Sequence, residues 1–173
     1  GGPHYLSDRD RLFIENWEVE SYRRAQAAKS NPSAGGRLKG KVAVVTGAAQ
    51  GFGYGIAEEL AKEGAVIVIA DMNTEGAQKA ADTIKSEYPA VEAFSVAVNI
   101  ADESSVAKMV SDGTKTCGGI DLFVANAGVL KAGSVKTFSL KDWEFVTDIN
   151  YNGYFLCVKH VSAVMAAETA DGG

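Results

Sequence analysis

The chain has 173 residues, of which 46% are apolar, and carries a formal net charge of −5 at pH 7. This length and composition suffice for the core of one ordinary domain and leave too little for a second domain of similar size. The acidic balance argues against nucleic acid as a partner, because no cluster of Lys and Arg is present to neutralise a phosphate backbone.

The apolar runs and the first residues predict a cytoplasmic protein that does not bind membranes. The longest apolar run, residues 65–70, has the length of a strand and falls far short of a membrane span. Residues 1–5 lack the basic and apolar regions of a secretory signal. The cysteines, Cys117 and Cys157, lack the close spacing of a zinc or redox pair, so we expect two reduced thiols and no metal site.

Residues 1–36 are predicted to form a helical appendage and a linker that precede a domain of residues 37–173. Residues 8–29 are charged, favour a helix and contain aromatic side chains such as Trp17, and residues 30–36 are rich in Pro, Gly and Ser. Three interpretations stay open for this segment. It is a helix that packs on the domain, the tail of another module, or an oligomerisation arm.

From Lys41 onward, short β-rich runs alternate with longer amphipathic stretches, the order that builds a parallel sheet with helices on both faces. Ser139 is expected to cap the last helix, with Asp142 as its capping-box partner. The strands are predicted at about Val42–Thr46, Val66–Asp71, Glu92–Val98 and Leu122–Asn126. The helices are predicted at about Gly53–Glu63, Thr74–Glu87, Asp102–Cys117 and Leu140–Ala167.

The glycine-rich stretch of residues 46–53 lies where the first strand passes into the first helix. Gly47 permits a tight turn, Gly51 lets the backbone approach a pyrophosphate, and Gly53 admits close contact between helix and strand. The helix N-terminus then faces the phosphates. This pattern predicts a dinucleotide site in a doubly wound Rossmann fold rather than a structural loop. The candidate cofactor-binding residues of the turn are Thr46, Gly47, Gln50, Gly51, Phe52 and Gly53.

Asp71 closes the second strand, 18 residues after Gly53. An acid close to this spacing holds the adenosine ribose hydroxyls in dinucleotide folds. Neither Gln50 nor Met72 is basic, so nothing nearby favours a 2′-phosphate, and NAD is predicted in preference to NADP. In the alternative interpretation, Asp71 only caps the following helix.

From about Leu38 to its end, the chain resembles the short-chain dehydrogenase/reductase family. The spacing of the glycines in residues 46–53 is typical of that family, and residues 120–128 resemble its Asn-Asn-Ala-Gly strand end, with Ala125 in place of the first Asn. The resemblance implies that Asn126, Ala127 and Gly128 lie beside the cofactor ribose.

Two further residues are matched to the adenine site of this family. Asn99, followed by Ile100, stands where the family usually has an Asp that meets the adenine amino group. The amide oxygen of Asn99 can still accept a hydrogen bond but brings no charge. A turn-forming Asn is the alternative interpretation.

Asn150 matches the family's Asn that supports a catalytic proton relay, and the periodicity of residues 146–161 places it on the inward face of the last helix. Two alternatives stay open: Asn150 is a buried Asn with a purely structural role, or Asn152 takes the role in the relay instead. The family's catalytic Ser and Tyr-x-x-x-Lys motif are expected after Gly173, since Tyr151 and Tyr154 have no Lys four residues later. We therefore expect these 173 residues to bind cofactor without catalysing turnover.

Residues 17–22 and the following linker also resemble the junction of proteins that fuse a rhamnulose-1-phosphate aldolase-type domain to a short-chain dehydrogenase. That resemblance implies a small hydroxy-aldehyde as substrate. The sequence as a whole predicts the cofactor-binding part of a homo-oligomeric NAD-dependent oxidoreductase, with its sheet cut after about four strands. The alternative is a non-catalytic module that senses nucleotides.

Overall fold

Four strands and five α-helices lie along residues 36–170, the part of the chain that the computed structural model describes. The predicted appendage and nearly all of its linker lie outside these residues. The strands are β1 (Val42–Thr46), β2 (Val66–Asp71), β3 (Ala93–Ala97) and β4 (Leu122–Val124). The helices are α1 (Gly51–Lys62), α2 (Thr74–Glu87), α3 (Glu103–Cys117), α4 (Leu140–Thr147) and α5 (Gly153–Ala170), and a one-turn π-helix (Asp148–Asn152) joins the last two.

The strands form one parallel sheet in the order β3-β2-β1-β4. This order and the helices between the strands confirm the predicted α/β fold. The bounds of β1 and β2 agree with the prediction. β4 ends two residues before the predicted Asn126, because the backbone N–H of Asn126 turns back to the Thr46 hydroxyl (3.0 Å) instead of continuing a ladder.

Alternate residues of each central strand face opposite sides of the sheet, as the two-residue period of a strand requires. Val42 and Val44 belong to a core shared with α3 and α5, whereas Ala43 and Val45 belong to a core shared with α1 and α2. The sheet is therefore buried on both faces, and its strands read as apolar runs. The ends of the strands are where a ligand can approach such a sheet.

Both cysteines are buried and neither forms a disulfide, as the sequence predicted. Cys157 packs in the core between the sheet and α5, and burial raises the pKa of its thiol to about 11. None of the helices in the described residues is long and apolar enough to cross a membrane.

The prediction of one continuous helix from Leu140 to Ala167 was wrong in one respect. The N-terminal cap is as predicted, since the Ser139 hydroxyl accepts from the Asp142 N–H (3.0 Å). The π-helix at Asp148–Asn152, however, interrupts the α-helical pattern and so changes which side chains face inward. Asn150, predicted on the buried face, is exposed.

Candidate functional site

The turn between β1 and α1 depends on glycine at two positions with positive φ. Gly47 has φ of 66° and Gly51 has φ of 63°, a region that side chains disfavour. Gly47 also lies against the loop after β4, since a Cβ built on it would come within 2.7 Å of the Ala127 Cα. At Gly53, a Cβ would lie 2.3 Å from the Gly47 carbonyl oxygen. The turn is therefore folded tightly on itself and on the neighbouring strand end.

The first turn of α1 is open to a ligand. Gln50 is the N-cap residue, yet its side chain makes no capping hydrogen bond, and the first turn contains no acidic residue. A Cβ built on Gly51 meets no atom within 4 Å, and the Phe52 side chain is 90% exposed. The backbone N–H groups of a first helical turn have no partner within the helix, and they carry its positive dipole end. This arrangement fits a phosphate group.

Asp71, at the end of β2, contacts the same turn. One carboxylate oxygen accepts from the Ala49 N–H (3.0 Å), and the other accepts from the Asn73 N–H (2.9 Å). The N-cap of α2 is Asn73, whose side chain accepts from the Gly76 N–H (3.0 Å). Asp71 is thus not the capping residue, and its half-buried carboxylate stands one strand away from the open N-terminus of α1.

The residues after β3 lie next to Asp71. The N–H of Val98 donates to the Asp71 carbonyl oxygen (3.0 Å), which places the exposed Asn99 at the adjacent strand end. The Asn99 side-chain oxygen accepts from the Ala101 N–H (3.1 Å). The Ile100 side chain is only 7% exposed and belongs to the core, so any contact of Ile100 with a ligand at this edge is through its backbone.

Thr46 joins the ends of β1 and β4. Its side chain is buried, and its hydroxyl accepts from the N–H groups of Asn126 (3.0 Å) and Ala127 (3.1 Å) while it donates to the Val124 carbonyl (3.3 Å). The Asn126 amide donates to the carbonyl of Thr46 (3.0 Å) and, more weakly, to that of Gly47 (3.3 Å). One hydroxyl and one amide therefore hold the loop after β4 against the glycine-rich turn.

Asn150 fixes the far side of the same loop. Its side-chain oxygen accepts from the Val129 N–H and its side-chain nitrogen donates to the Val129 carbonyl, both at 2.8 Å. The Asn150 side chain forms these hydrogen bonds although it is exposed, and not on the inward face that the sequence predicted. A Cβ on Gly128 would lie 3.3 Å from the same amide oxygen. The π-helix thus meets the loop in close contact at Gly128, where a larger residue would require the Asn150 amide to shift slightly.

A family model for short chain dehydrogenases matches residues 41–173. The chain belongs to the short-chain dehydrogenase family.

Relatives in this family share about a third of their aligned residues with the chain. D-threitol dehydrogenase of Mycolicibacterium smegmatis is 39% identical over 75% of the chain and 49% of its own length. Meso-2,3-butanediol dehydrogenase of Serratia marcescens is 35% identical over 71% of the chain and 47% of its own length. YuxG, an uncharacterised oxidoreductase of Bacillus subtilis (strain 168), is 31% identical over 96% of the chain, which makes up 24% of that protein. The chain thus spans half or less of the length of these relatives.

Solved structures show the same fold. An NAD+-bound xylitol dehydrogenase is 34% identical, with a TM-score of 0.73 over 76% of this chain and 50% of that one. Levodione reductase is 29% identical, also with a TM-score of 0.73, over 76% of this chain and 52% of that one. These similarities confirm the family and the Rossmann-type fold that the sequence predicted.

In this short-chain dehydrogenase domain, the carboxyl ends of the four strands bring together the residues selected from the sequence. The glycine-rich turn, Asp71, Asn99 and the loop of residues 126–128 lie along one edge, and Asn150 joins that edge through Val129.

Sequence reasoning missed Asn73 as the N-cap of α2, although an Asn just before a helical run is a known capping signal. It also missed Val129, which the sequence alone does not distinguish.

Proposed function

We propose that the chain forms the cofactor-binding part of an NAD-dependent oxidoreductase, which transfers hydride between nicotinamide and a carbon of a small alcohol or carbonyl compound. The glycine-rich turn and the open N-terminus of α1 would hold the pyrophosphate. Asp71 would hold the adenosine ribose, Asn99 and Ile100 would face the adenine, and Asn126, Ala127 and Gly128 would lie beside the nicotinamide ribose. The cofactor would supply or accept the hydride.

The position of the Asp71 carboxylate is the observation that carries this proposal. It is anchored to the turn through Ala49 and does not serve as the N-cap of α2. A carboxylate can accept hydrogen bonds from both ribose hydroxyls, whereas a 2′-phosphate would bring like charges within a few Å. At about 4 Å and an effective dielectric constant near 20, that repulsion approaches ~4 kcal/mol before screening reduces it. Even a third of this energy gives roughly tenfold discrimination against NADP.

Replacing Asp71 tests the cofactor assignment. We expect the purified chain to bind NAD at least about tenfold more tightly than NADP, and Asp71→Ala to remove most of that preference. Titration calorimetry with both dinucleotides measures the ratio. Glu75→Ala is the control, since it removes an exposed acid from the first turn of α2, the next helix. An NAD/NADP ratio that is unchanged in Asp71→Ala would assign Asp71 a purely structural role.

For the chemistry, we propose that Asn150 acts in the proton relay that the resemblance implies. The support is positional, because Asn150 is linked through Val129 to the loop that would flank the nicotinamide ribose.

These 173 residues contain no Tyr-x-x-x-Lys motif, and we propose that they bind cofactor without turnover. A polyol or hydroxy-aldehyde substrate is supported by the names of the threitol, butanediol and xylitol dehydrogenases.

We also propose that the residues before Leu38 connect to an aldolase-type domain in a longer cytoplasmic protein. The match to YuxG supports a longer parent, since it covers 96% of the chain and therefore extends into the segment that precedes the family match at residue 41. The coding sequence upstream of Gly1 tests this proposal. A domain unrelated to aldolases, encoded there, would contradict it.

Finally, we propose that the protein is a homo-oligomer. Within residues 36–170, β4 pairs only with β1, and apolar side chains on α4 and α5 are exposed, among them Trp143, Tyr154 and Phe155. Exposed strand edges and apolar patches favour association. We expect sedimentation velocity to show dimers or larger species at micromolar concentration, and Phe155→Lys to weaken them more than Glu144→Lys. A monomer at all concentrations would contradict the proposal.

A further inference from the structure

Asn99 occupies the strand end at which the base of a bound dinucleotide would lie. The open N-terminus of α1 follows β1, Asp71 ends β2, and Asn99 follows β3, the next strand along the sheet. A nucleotide with its pyrophosphate at the first position and its ribose at the second therefore has its base at the third. This placement rests on the proposed function.

The Asn99 side chain is held in one orientation. Its Oδ1 accepts from the Ala101 N–H (3.1 Å), the Asn99 N–H donates to the Ser105 hydroxyl (2.9 Å), and the Asn99 carbonyl accepts from the Asp102 N–H (3.1 Å). Because a backbone N–H can only donate, the side-chain oxygen and not the nitrogen must face Ala101. The exposed end of the amide is consequently Nδ2, for which residues 36–170 provide no hydrogen-bond partner.

An Asp at this position would behave differently. One carboxylate oxygen could accept from the Ala101 N–H, and the second, charged oxygen would be left to accept from a ligand. In Asn99 the second atom is a donor. The 6-amino group of adenine is also a donor, so the two groups facing one another cannot form the hydrogen bond that a carboxylate would make.

We infer that Asn99 gives this dinucleotide site little selectivity for the adenine amino group, so that it accepts purine dinucleotides lacking a 6-amino donor about as well as NAD. The 6-position of the base is consequently tolerant.

The test compares NAD with nicotinamide purine dinucleotide, in which hydrogen replaces the 6-amino group and N1 is retained. Dissociation constants are measured by calorimetry for the wild-type chain, Asn99→Asp and a control, Gln78→Glu. Gln78 is an exposed amide on α2, and the control makes the same change from amide to carboxylate away from the proposed base position. Circular dichroism verifies that each variant is folded.

We expect the wild-type chain and Gln78→Glu to bind the two dinucleotides within about twofold of each other. Asn99→Asp should bind NAD at least about fivefold more tightly than the purine dinucleotide, as one hydrogen bond to a charged acceptor provides. A wild-type preference for NAD of about fivefold or more would overturn the inference, because Oδ1 would then be accepting from adenine as well as from Ala101. An unchanged ratio in Asn99→Asp would also overturn it. If the wild-type chain bound neither dinucleotide, this result would instead contradict the proposed function.

Discussion

Replacing Gly53 by Ala is expected to destabilise the chain by at least about 2 kcal/mol and to lower its affinity for NAD by tenfold or more. The added Cβ would lie 2.3 Å from the Gly47 carbonyl oxygen and 2.6 Å from the Asn126 side-chain nitrogen. Neither neighbour can simply rotate away, because the first is backbone and the second is hydrogen-bonded to the carbonyl oxygens of Thr46 and Gly47. Overpacking of this kind typically costs about 1–3 kcal/mol and shifts the backbone. The turn proposed to bind the pyrophosphate is the backbone that would have to move.

Gly55 provides the matched control, two residues further along α1. A Cβ built on it meets no atom within 4 Å, and it has ordinary helical backbone without a positive φ. Ala is favoured over Gly inside a helix by about 0.5–1 kcal/mol, so Gly55→Ala should stabilise the chain slightly and leave NAD binding unchanged. Urea unfolding and calorimetry measure both quantities. Equal behaviour of the two variants would show that close packing at Gly53 is not needed.

The elements whose first and last residues were predicted correctly are those that depend on the local sequence pattern. β1 and β2 are apolar runs whose ends are marked by Thr46 and Asp71, and their bounds agree with the sequence analysis. The cap of α4 at Ser139 was likewise visible, because the capping side chain and its partner are three residues apart. The glycine pattern located the turn, since positive φ and close approach are properties that only glycine combines.

What the sequence did not show depends on contacts between distant segments. The π-helix contains Asn150, whose two hydrogen bonds to Val129 span 21 residues, and α-helical periodicity gave no sign of it. The orientation of the Asn99 amide follows from the direction of the Ala101 N–H, which is a property of the folded loop. The contact between Asp71 and Ala49 also became visible only when β2 was placed beside the turn. Residue types were therefore easier to select than the atoms through which they act.

Replacing Thr46 by Val is the second change for which we expect a large effect. Val has nearly the same shape but no hydroxyl, so the Ala127 N–H loses its partner, whereas the Asn126 N–H and the Val124 carbonyl keep the hydrogen bond between them (3.0 Å). An unsatisfied buried polar group costs about 1–3 kcal/mol, and partial access of water to the loop reduces this cost. We expect a loss of roughly 1–2 kcal/mol in the free energy of unfolding.

Thr46→Ser separates the hydroxyl from the packing of the side chain. It keeps the three hydrogen bonds and removes one buried methyl group, which should cost about 0.8 kcal/mol or slightly more. Urea denaturation of the two variants beside the wild-type chain measures the difference, and the affinity for NAD reports on the loop that Thr46 holds. Thr46→Val should weaken NAD binding more than Thr46→Ser, since only Val removes the hydroxyl that holds the loop of residues 126–128 to the end of β1. If Ser proved as damaging as Val in both measurements, the methyl group and not the hydroxyl would be what joins the two strand ends.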